Sequence, residues 1–321
     1  MSTGSRSAYW FVAPAIILMG LIFFIPVLMA LGLGFTNYSL GNSGFDFVAF
    51  ENFEKIFTRR SYEKMWGATL TYVLVVVPLS VLLGLAAALA INSVTRFRDV
   101  YKTIYFLPVM ATLMAMAIVW QIMLHPTAGV INRTLASGCD VEFAYGVLSG
   151  AYFGFDPLTS WYGNACADVM PNWLGDKKYA IWVICFIGVW QNFGFNMVLY
   201  LAGLTSVSRE LYMAAQMDGA GSAWDRFRLV TWPALGPTTV FVVTISTIRG
   251  FQVFDIVEAF YGFGSAGPGK SAYVMMFAIF EKGIKQNLIG IGSAITIIFL
   301  IFVMFITLVQ RYLVERRVHY S

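Results

Sequence analysis

Charged side chains are scarce in this sequence: Asp, Glu, Lys and Arg make up 12% of its 321 residues, about half the share usual in a soluble domain. With 59% of residues hydrophobic and a mean hydropathy of +0.72, one soluble core cannot hide the apolar surface, and a bilayer is the natural solvent. Histidine is nearly missing. His125 and His319 are the only two, and no H-E-x-x-H, paired C-x-x-C or G-x-S-x-G run occurs. That removes the common zinc, redox and hydrolase constellations, so the sequence reads as a non-enzyme with no catalytic residue and no metal ligand. Heptads, low-complexity tracts and solenoid-period repeats are also missing.

What is present is organised by the gaps between charges. Six stretches contain no Asp, Glu, Lys or Arg: 7–45, 65–95, 103–132, 179–208, 229–248 and 286–310. Each is long enough for the roughly 20 apolar residues that cross the hydrocarbon as a helix. The next gap, 143–155, is too short. The expectation is an all-α polytopic membrane protein with six transmembrane helices, at about 9–36, 65–94, 103–125, 179–205, 236–260 and 286–311. The run from Tyr9 to Phe35 is too long for the core of a cleavable signal and reads as a retained first helix.

The formal net charge of +4 says little, whereas its distribution says more. Six spans put both termini on one side, together with residues 95–103 and 206–235. That side gathers Arg6, Arg96, Arg98, Lys102, Arg209, Arg226, Arg228, Arg311, Arg316 and Arg317 in short segments. The bases of the other side are spread over longer loops and balanced by acids. The positive-inside rule then favours cytoplasmic termini.

The loops differ in character. Residues 126–178 form an extended outer loop with scattered Gly, Asn and Pro, of a length usually functional or disordered. It holds Cys139 and Cys166, where an oxidising compartment permits a bridge. Two unpaired thiols are equally compatible with the sequence, because spacing does not establish bonding distance. Cys185 lies inside the fourth span and reads as packing. The inner loop 206–235 carries Leu211, Ala214 and Ala215, then Trp224, Phe227 and Leu229, at helical spacing around the break Asp218-Gly219-Ala220-Gly221. This predicts a helix, a glycine turn and a second short helix, with Gly219 permitting the reversal and Asp218 capping the turn that follows.

Residues 264–271 fit the phosphate-loop expression G-x-x-x-x-G-K-[ST]. The motif requires a strand before it and a helix opening after it. Here a membrane helix precedes it and the topology puts it outside, so it reads as a turn. Polar residues within spans are the stronger lead, because their burial is costly. The fifth span carries Arg249, Gln252, Asp255 and Glu258 at three-residue intervals. Neighbours in the row touch, but it winds, and Arg249 and Glu258 end on opposite sides. The fourth span carries Gln191, Asn192 and Asn196, the last two on one face, for which interhelical hydrogen bonding and a pathway role both stand. Aromatics, at 17%, suit packing and an interfacial belt. Trp120 and Trp190 lie near the polar positions of their spans, where stacking on a sugar face competes with packing.

With these pieces in order, the chain resembles the membrane permease subunits of binding-protein-dependent ABC importers, in the carbohydrate branch that includes maltose, oligosaccharide and glycerol-3-phosphate systems. The family's cytoplasmic EAA motif, roughly E-A-A-x-x-D-G-A, is met by Met213 to Ala220, through Ala214, Ala215, Asp218 and Gly219, and is followed by Phe227, Pro233 and Pro237. Phe47 to Phe53, Phe106-Leu107-Pro108, Trp120, Gly129 to Asn132, Trp190 to Leu204, Phe254-Asp255 and Gly267-Pro268 fall in sequence around it, so nearly the whole chain is covered.

The resemblance implies one transmembrane domain over 1–321, with loop 206–235 as a coupling helix docked on an ATPase. It also implies a cell inner membrane location, a second homologous permease, two ATPase subunits and an extracytoplasmic solute-binding protein. Transport would proceed by alternating access, with a sugar, oligosaccharide or polyol-type solute as cargo. A phosphoester cargo stays open through Arg249, although the nearby acids argue against a strongly anionic site. ATP and Mg would belong to the partner ATPase, and this chain would bind no cofactor itself. Two departures stand out. Met213 replaces the motif's Glu, with Glu210 one turn earlier on the same face as a substitute, and the outer loop is long enough to suggest contact with the binding protein. Two rivals remain at this point: an ion-coupled secondary transporter using Asp255 and Glu258, which would favour two similar halves that the sequence lacks, and a membrane transferase, which would want clustered acids.

Overall fold

The computed structural model describes residues 4–42, 44–139, 171–262 and 265–315. Among them the only β pairing is a single antiparallel bridge between Thr36 and Phe47. Five helical stretches are long and apolar enough to span a membrane: Tyr9–Leu33, Arg60–Ser93, Ala180–Thr205, Gly236–Tyr261 and Ile289–Gln310. A sixth span exists only as a bent pair, Arg98–Met110 with Leu113–Met123, which meet at 94°. The all-α polytopic expectation holds, with one difference. The third span is not a straight rod over 103–125. Pro108 lies inside the first limb, where it removes a backbone N–H, and Ala111 and Thr112 take extended conformations that end one helix and start the next.

The elements, in chain order, are α1 (Gly4–Met19), a π-helical turn (Gly20–Phe24), α2 (Ile25–Leu33), α3 (Glu51–Thr58), α4 (Arg60–Ser93), α5 (Arg98–Met110), α6 (Leu113–Met123) and α7 (Val130–Cys139). They continue with α8 (Ala180–Thr205), α9 (Arg209–Met217), α10 (Ala223–Arg226), α11 (Trp232–Ala234), α12 (Gly236–Phe251), α13 (Asp255–Tyr261), α14 (Met275–Phe280) and α15 (Ile289–Glu315). They divide into two compact units, one of residues 1–66 and 275–306, the other of residues 67–274 and 307–321.

In the first unit, α1 and α2 run as one apolar rod whose large side chains, Trp10, Phe11, Phe23 and Phe24 among them, face outward. The π turn sits just before Pro26, which offers no N–H to the α-helical ladder. Past the rod, the Phe47 to Phe53 segment works as a clasp. Asn52 is buried and donates to the carbonyls of Gly34 (3.0 Å) and Thr36 (2.8 Å). Around it Phe35 meets Phe50 and Phe53 at 5.6 and 5.1 Å between ring centroids. A buried amide bonded to two carbonyls fixes the chain's exit from the rod far more tightly than ring packing alone.

The second unit is organised around α8. It packs against α5 and α12, while α6 packs against α13. One polar node joins three of its helices. Asn196 of α8 is 1% exposed; its Nδ2 donates to Ser80 Oγ on α4 (3.2 Å), and its Oδ1 accepts from Ser246 Oγ on α12 (3.0 Å). Gly84 makes the approach possible, because a Cβ there would stand 2.7 Å from Asn196 Cβ. Small residues that let backbones close, with polar side chains bonded across, are the usual adhesive between membrane helices. Gln310 near the end of α15 adds a second tie, donating to Thr247 of α12 at 2.8 Å.

Asn196→Ala removes the cross-helix partner of both serines, leaving Ser80 bonded only to the Val77 carbonyl of its own helix. It is expected to lower stability by about 0.6–1.7 kcal/mol, read as a lower Tm of the detergent-purified protein, with Ser80→Ala and Ser246→Ala each costing less. An unchanged Tm in all three would show that the node does not hold the helices.

Candidate functional site

Two features of the second unit carry functional chemistry: a polar cavity within the helical bundle, and the loop between α8 and α12. The cavity measures about 350 Å³. Gln191, Asn192 and Phe195 of α8 form one wall, Arg249 of α12 another, and Gln252 and Asp255 a third, with Tyr72 of α4 and Val109 of α5 completing it. Gln191, Asn192 and Phe195 share a wall because residues three and four apart lie on one helical face.

The third wall depends on a broken helix. α12 stops at Phe251, and Gln252 closes it by donating its N–H to the carbonyls of Ile248 and Arg249 (3.2 and 3.1 Å). Phe254 leaves helical geometry with φ −145° and ψ −59°, and α13 restarts at Asp255. The winding row predicted on one continuous helix is therefore divided. Arg249, Gln252 and Asp255 line the cavity, and Glu258 does not. Broken helices at bilayer depth occur where backbone lines a cavity.

The two asparagines separate in role. Asn196 is the structural node, whereas Asn192 lines the cavity and donates its Nδ2 to the Gly188 carbonyl of its own helix (2.8 Å). Trp120 and Trp190 stay outside the polar cavity. They pack edge to face, 5.6 Å apart, and Trp120 also meets Phe186 at 5.7 Å. Trp120 lines a separate, apolar pocket of about 300 Å³ with Trp173, Trp182 and Phe186. Packing, not placement beside the polar groups, accounts for this tryptophan pair. Phe195 and Tyr72 were not singled out from the sequence. Phe195 had a signal, its spacing from Gln191 and Asn192; Tyr72 had none, since its place depends on α4 meeting α8.

The loop folds as helix, turn, helix. α9 begins after Ser208 and ends on Asp218, whose N–H bonds the Ala214 carbonyl at 3.0 Å. Gly219 follows at φ +94°, a left-handed conformation that disfavours any side chain. Ala220 then tucks in, 4% exposed, bonding the Ala215 carbonyl at 2.9 Å. The cap of the second helix is not Asp218, as the sequence suggested, but Ser222. Its Oγ accepts from Asp225 N (3.0 Å), while the Asp225 carboxylate accepts from Ser222 Oγ (2.6 Å) and Ser222 N (3.2 Å), a reciprocal capping box. Tyr212 ties α9 to the following turn through Thr231 Oγ1 at 2.9 Å.

This rigid loop presents an apolar surface. Leu211, Met213, Met217, Trp224 and Leu229 are all exposed, Met217 at 88%. Ala214 is exposed as well, Ala215 half-buried, and Glu210 stands exposed in the first turn of α9, one turn before Met213. Beside them a cleft of about 590 Å³ opens between Leu89 and Asn92 of α4, Leu204 of α8, and Tyr212, Trp224 and Phe227 of the loop.

Of the remaining sequence expectations, Cys166 and the Cys139 side chain lie outside the described residues, as does most of the outer loop. Residues 265–271 of the phosphate-loop lookalike form a turn with a short 3-10 segment at Pro268–Lys270, and no strand precedes it among the described residues. No cluster of three or more His, Cys, Asp or Glu suited to a metal occurs among the described residues.

Comparison with known proteins gives a consistent picture. Residues 80–319 match the family described as binding-protein-dependent transport system inner membrane component. The arabinooligosaccharides transport system permease protein AraP of Bacillus subtilis is 27% identical over 94% of this chain and 86% of its own. The sn-glycerol-3-phosphate transport system permease protein UgpA of Agrobacterium fabrum is 26% identical over 98% and 96%. A chain in the crystal structure of a bacterial alginate ABC transporter, solved with an alginate pentasaccharide-bound periplasmic protein, superposes with a TM-score of 0.77. It covers 98% of this chain and 96% of its own at 21% identity, which shows a shared fold.

The hydrogen bonds from the Ser222 side chain and backbone hold the Asp225 carboxyl below its ordinary value of 3.8. A lowered value means the box is intact above the ordinary carboxylate range and is lost as pH falls through the depressed value. Ser222→Ala is expected to speed amide exchange over residues 219–231 several-fold. Acidification below the Asp225 value should do the same to the wild type after correction for intrinsic rates. Equal protection in both cases would rule out the box as the loop's fastener.

Proposed function

The chain belongs to the family of binding-protein-dependent transport system inner membrane components, and on that premise we propose that it forms half of a translocation pathway driven by a partner ATPase. It is a multi-pass inner-membrane transport subunit and not itself an enzyme. The ion-coupled alternative through Asp255 and Glu258 falls with the family match, which extends over residues 80–319, and with the position of Glu258 outside the cavity.

The proposal extends to four partners: a second, homologous permease, two ATPase subunits that bind ATP and Mg, and an extracytoplasmic solute-binding protein. Both termini would lie on the cytoplasmic side, where loop 206–235 meets the ATPase. The cargo is a sugar, oligosaccharide or polyol-type solute. Support comes from the relatives named for arabinooligosaccharides and glycerol 3-phosphate and from a cavity whose amides and carboxylate suit hydroxyl groups.

The observation that carries this reading is the loop itself. A short helix pair, with α10 capped by the Ser222–Asp225 box and α9 tied through Tyr212 to Thr231, holds Met213, Met217 and Trp224 out to solvent beside an open cleft. Exposing such side chains on a rigid scaffold makes sense when a partner covers them. Met213 replaces an acid by an apolar side chain on this surface, and Glu210 supplies the carboxylate one turn earlier.

Gentle purification of the tagged chain is expected to bring down a soluble ATPase and a sister permease. Met217→Glu, at a position too exposed to affect folding, is expected to cut ATPase recovery at least tenfold with the Tm unchanged, and Glu210→Ala to weaken it less. Solute uptake that follows an ion gradient with no ATPase present would overturn the reading.

A further inference from the structure

Among the described residues, Arg249 is the one cation lining the polar cavity. It stands in the last turn of α12, with its guanidinium carbon 3.8 Å from the centroid of the Phe195 ring on α8. Such a contact occupies one face of the guanidinium and leaves its edge, with five N–H donors, directed elsewhere. Among the described residues the Arg249 guanidinium makes no ion pair and no hydrogen bond, and the Asp255 carboxylate in the same lining makes none either.

Opposite charges within a membrane span ordinarily pair, and Arg249 and Asp255 are exposed on an open cavity within one. Here the fold keeps them apart. Phe195 holds the guanidinium over its ring, and the non-helical residues Gln252 to Phe254 separate Arg249 from the helix that begins at Asp255. Both groups are left to meet whatever enters. Asn192 adds a direction to the site, because its Nδ2 is committed to the Gly188 carbonyl and its Oδ1 remains as an acceptor.

We propose that this cavity recognises an oxyanion group on a hydroxyl-rich solute, with Arg249 as the specificity-determining residue. The guanidinium edge takes a carboxylate or a phosphate with two parallel N–H donors, a geometry that Lys cannot reproduce. The Asp255 carboxylate and Asn192 Oδ1 accept hydrogen bonds from the solute's hydroxyls. A neutral sugar satisfies the acceptors and leaves the guanidinium edge with weak partners. The inference rests on the solute-pathway reading above and narrows its cargo to acidic sugars and sugar or polyol phosphates.

The test measures binding to the purified transport assembly in nanodiscs, without its solute-binding protein, by saturation-transfer NMR competition. Three probes are used: methyl β-D-glucoside, methyl β-D-glucuronide and glucose 6-phosphate. Wild type is expected to bind at least one anionic probe ten or more times more tightly than the glucoside, and the tighter anion identifies carboxylate or phosphate as the group read. Arg249→Gln is expected to reduce that preference to less than threefold, and Arg249→Lys to keep part of it. Asp255→Asn should raise it, because a competing carboxylate is removed. Gel-filtration profile and Tm control for folding, and the opposite signs of the two substitutions keep the test decisive if one variant is unstable. Equal binding of neutral and anionic probes by wild type, or a preference that survives Arg249→Gln, overturns the proposal while a sugar pathway stands. Binding of none of the three overturns it as well, and the transport assignment is then judged separately by the ATPase co-purification.

Discussion

The buried amide of Asn196 is the contact on which the second unit depends. One side chain faces two others, Ser80 on α4 and Ser246 on α12. In hydrocarbon there is no gain in moving apolar side chains from lipid to protein, so helix association rests on close packing and on polar groups that have nowhere else to bond. Asn196 supplies the second and Gly84 permits the first. The cavity exists because of this arrangement. With α4, α8 and α12 fixed at one level, the polar residues one turn or so further along, Asn192 on α8 and Arg249 on α12, are held facing each other instead of being pressed into helix contacts.

Much of this was legible in the sequence, for a physical reason. Charge is so unfavourable in the bilayer that its absence marks the spans almost directly, and the helices at Ala180–Thr205 and Ile289–Gln310 fall within a few residues of the gaps read from the chain. The loop 206–235 was equally open to reading, because Asp218-Gly219 is a local turn and Gly219 takes the left-handed φ the break requires. Breaks within spans were less accessible. The bend at Ala111-Thr112 and the interruption at Gln252 to Phe254 carry no charge and no glycine, and Pro108 alone does not specify a 94° turn. The sequence could name Asn192 and Asn196 but not sort them, because which one meets Ser80 depends on how α4 and α8 cross. Ser222 was missed as a cap since Asp218 offered the same chemistry four residues earlier.

The cavity and the loop make opposite uses of exposure. In the cavity, charged side chains are kept unpaired at a depth where pairing is the default, which is sensible only where water or cargo replaces the partner. On the loop, apolar side chains are kept uncovered where burial is the default, which is sensible only where another protein replaces the core. Each is a local departure from the rule governing the rest of the chain, and each is held by a fastener of its own: the Phe195 ring for Arg249, the Ser222–Asp225 box for α10. Sites where a structure works against its own solvent preference are where function concentrates.

Helix lengths then connect the two sites. Asn192 stands thirteen residues before Thr205, where α8 enters the loop, and Arg249 stands thirteen residues after Gly236, where α12 leaves it. At 1.5 Å per residue both lie about 20 Å from the loop. The Asn196–Ser246 bond joins the same helices at about 14 Å, between the loop and the cavity. Two antiparallel rods joined near the middle act on their far ends together. From Thr205 and from Gly236, α8 and α12 each run as continuous helix to the walls of the cavity, and α12 is interrupted at Gln252 to Phe254, beyond Arg249. The interruption thus lies at the cavity wall and sets Asp255 on a different helix from Arg249, so the two charges of the lining are not held by one continuous rod.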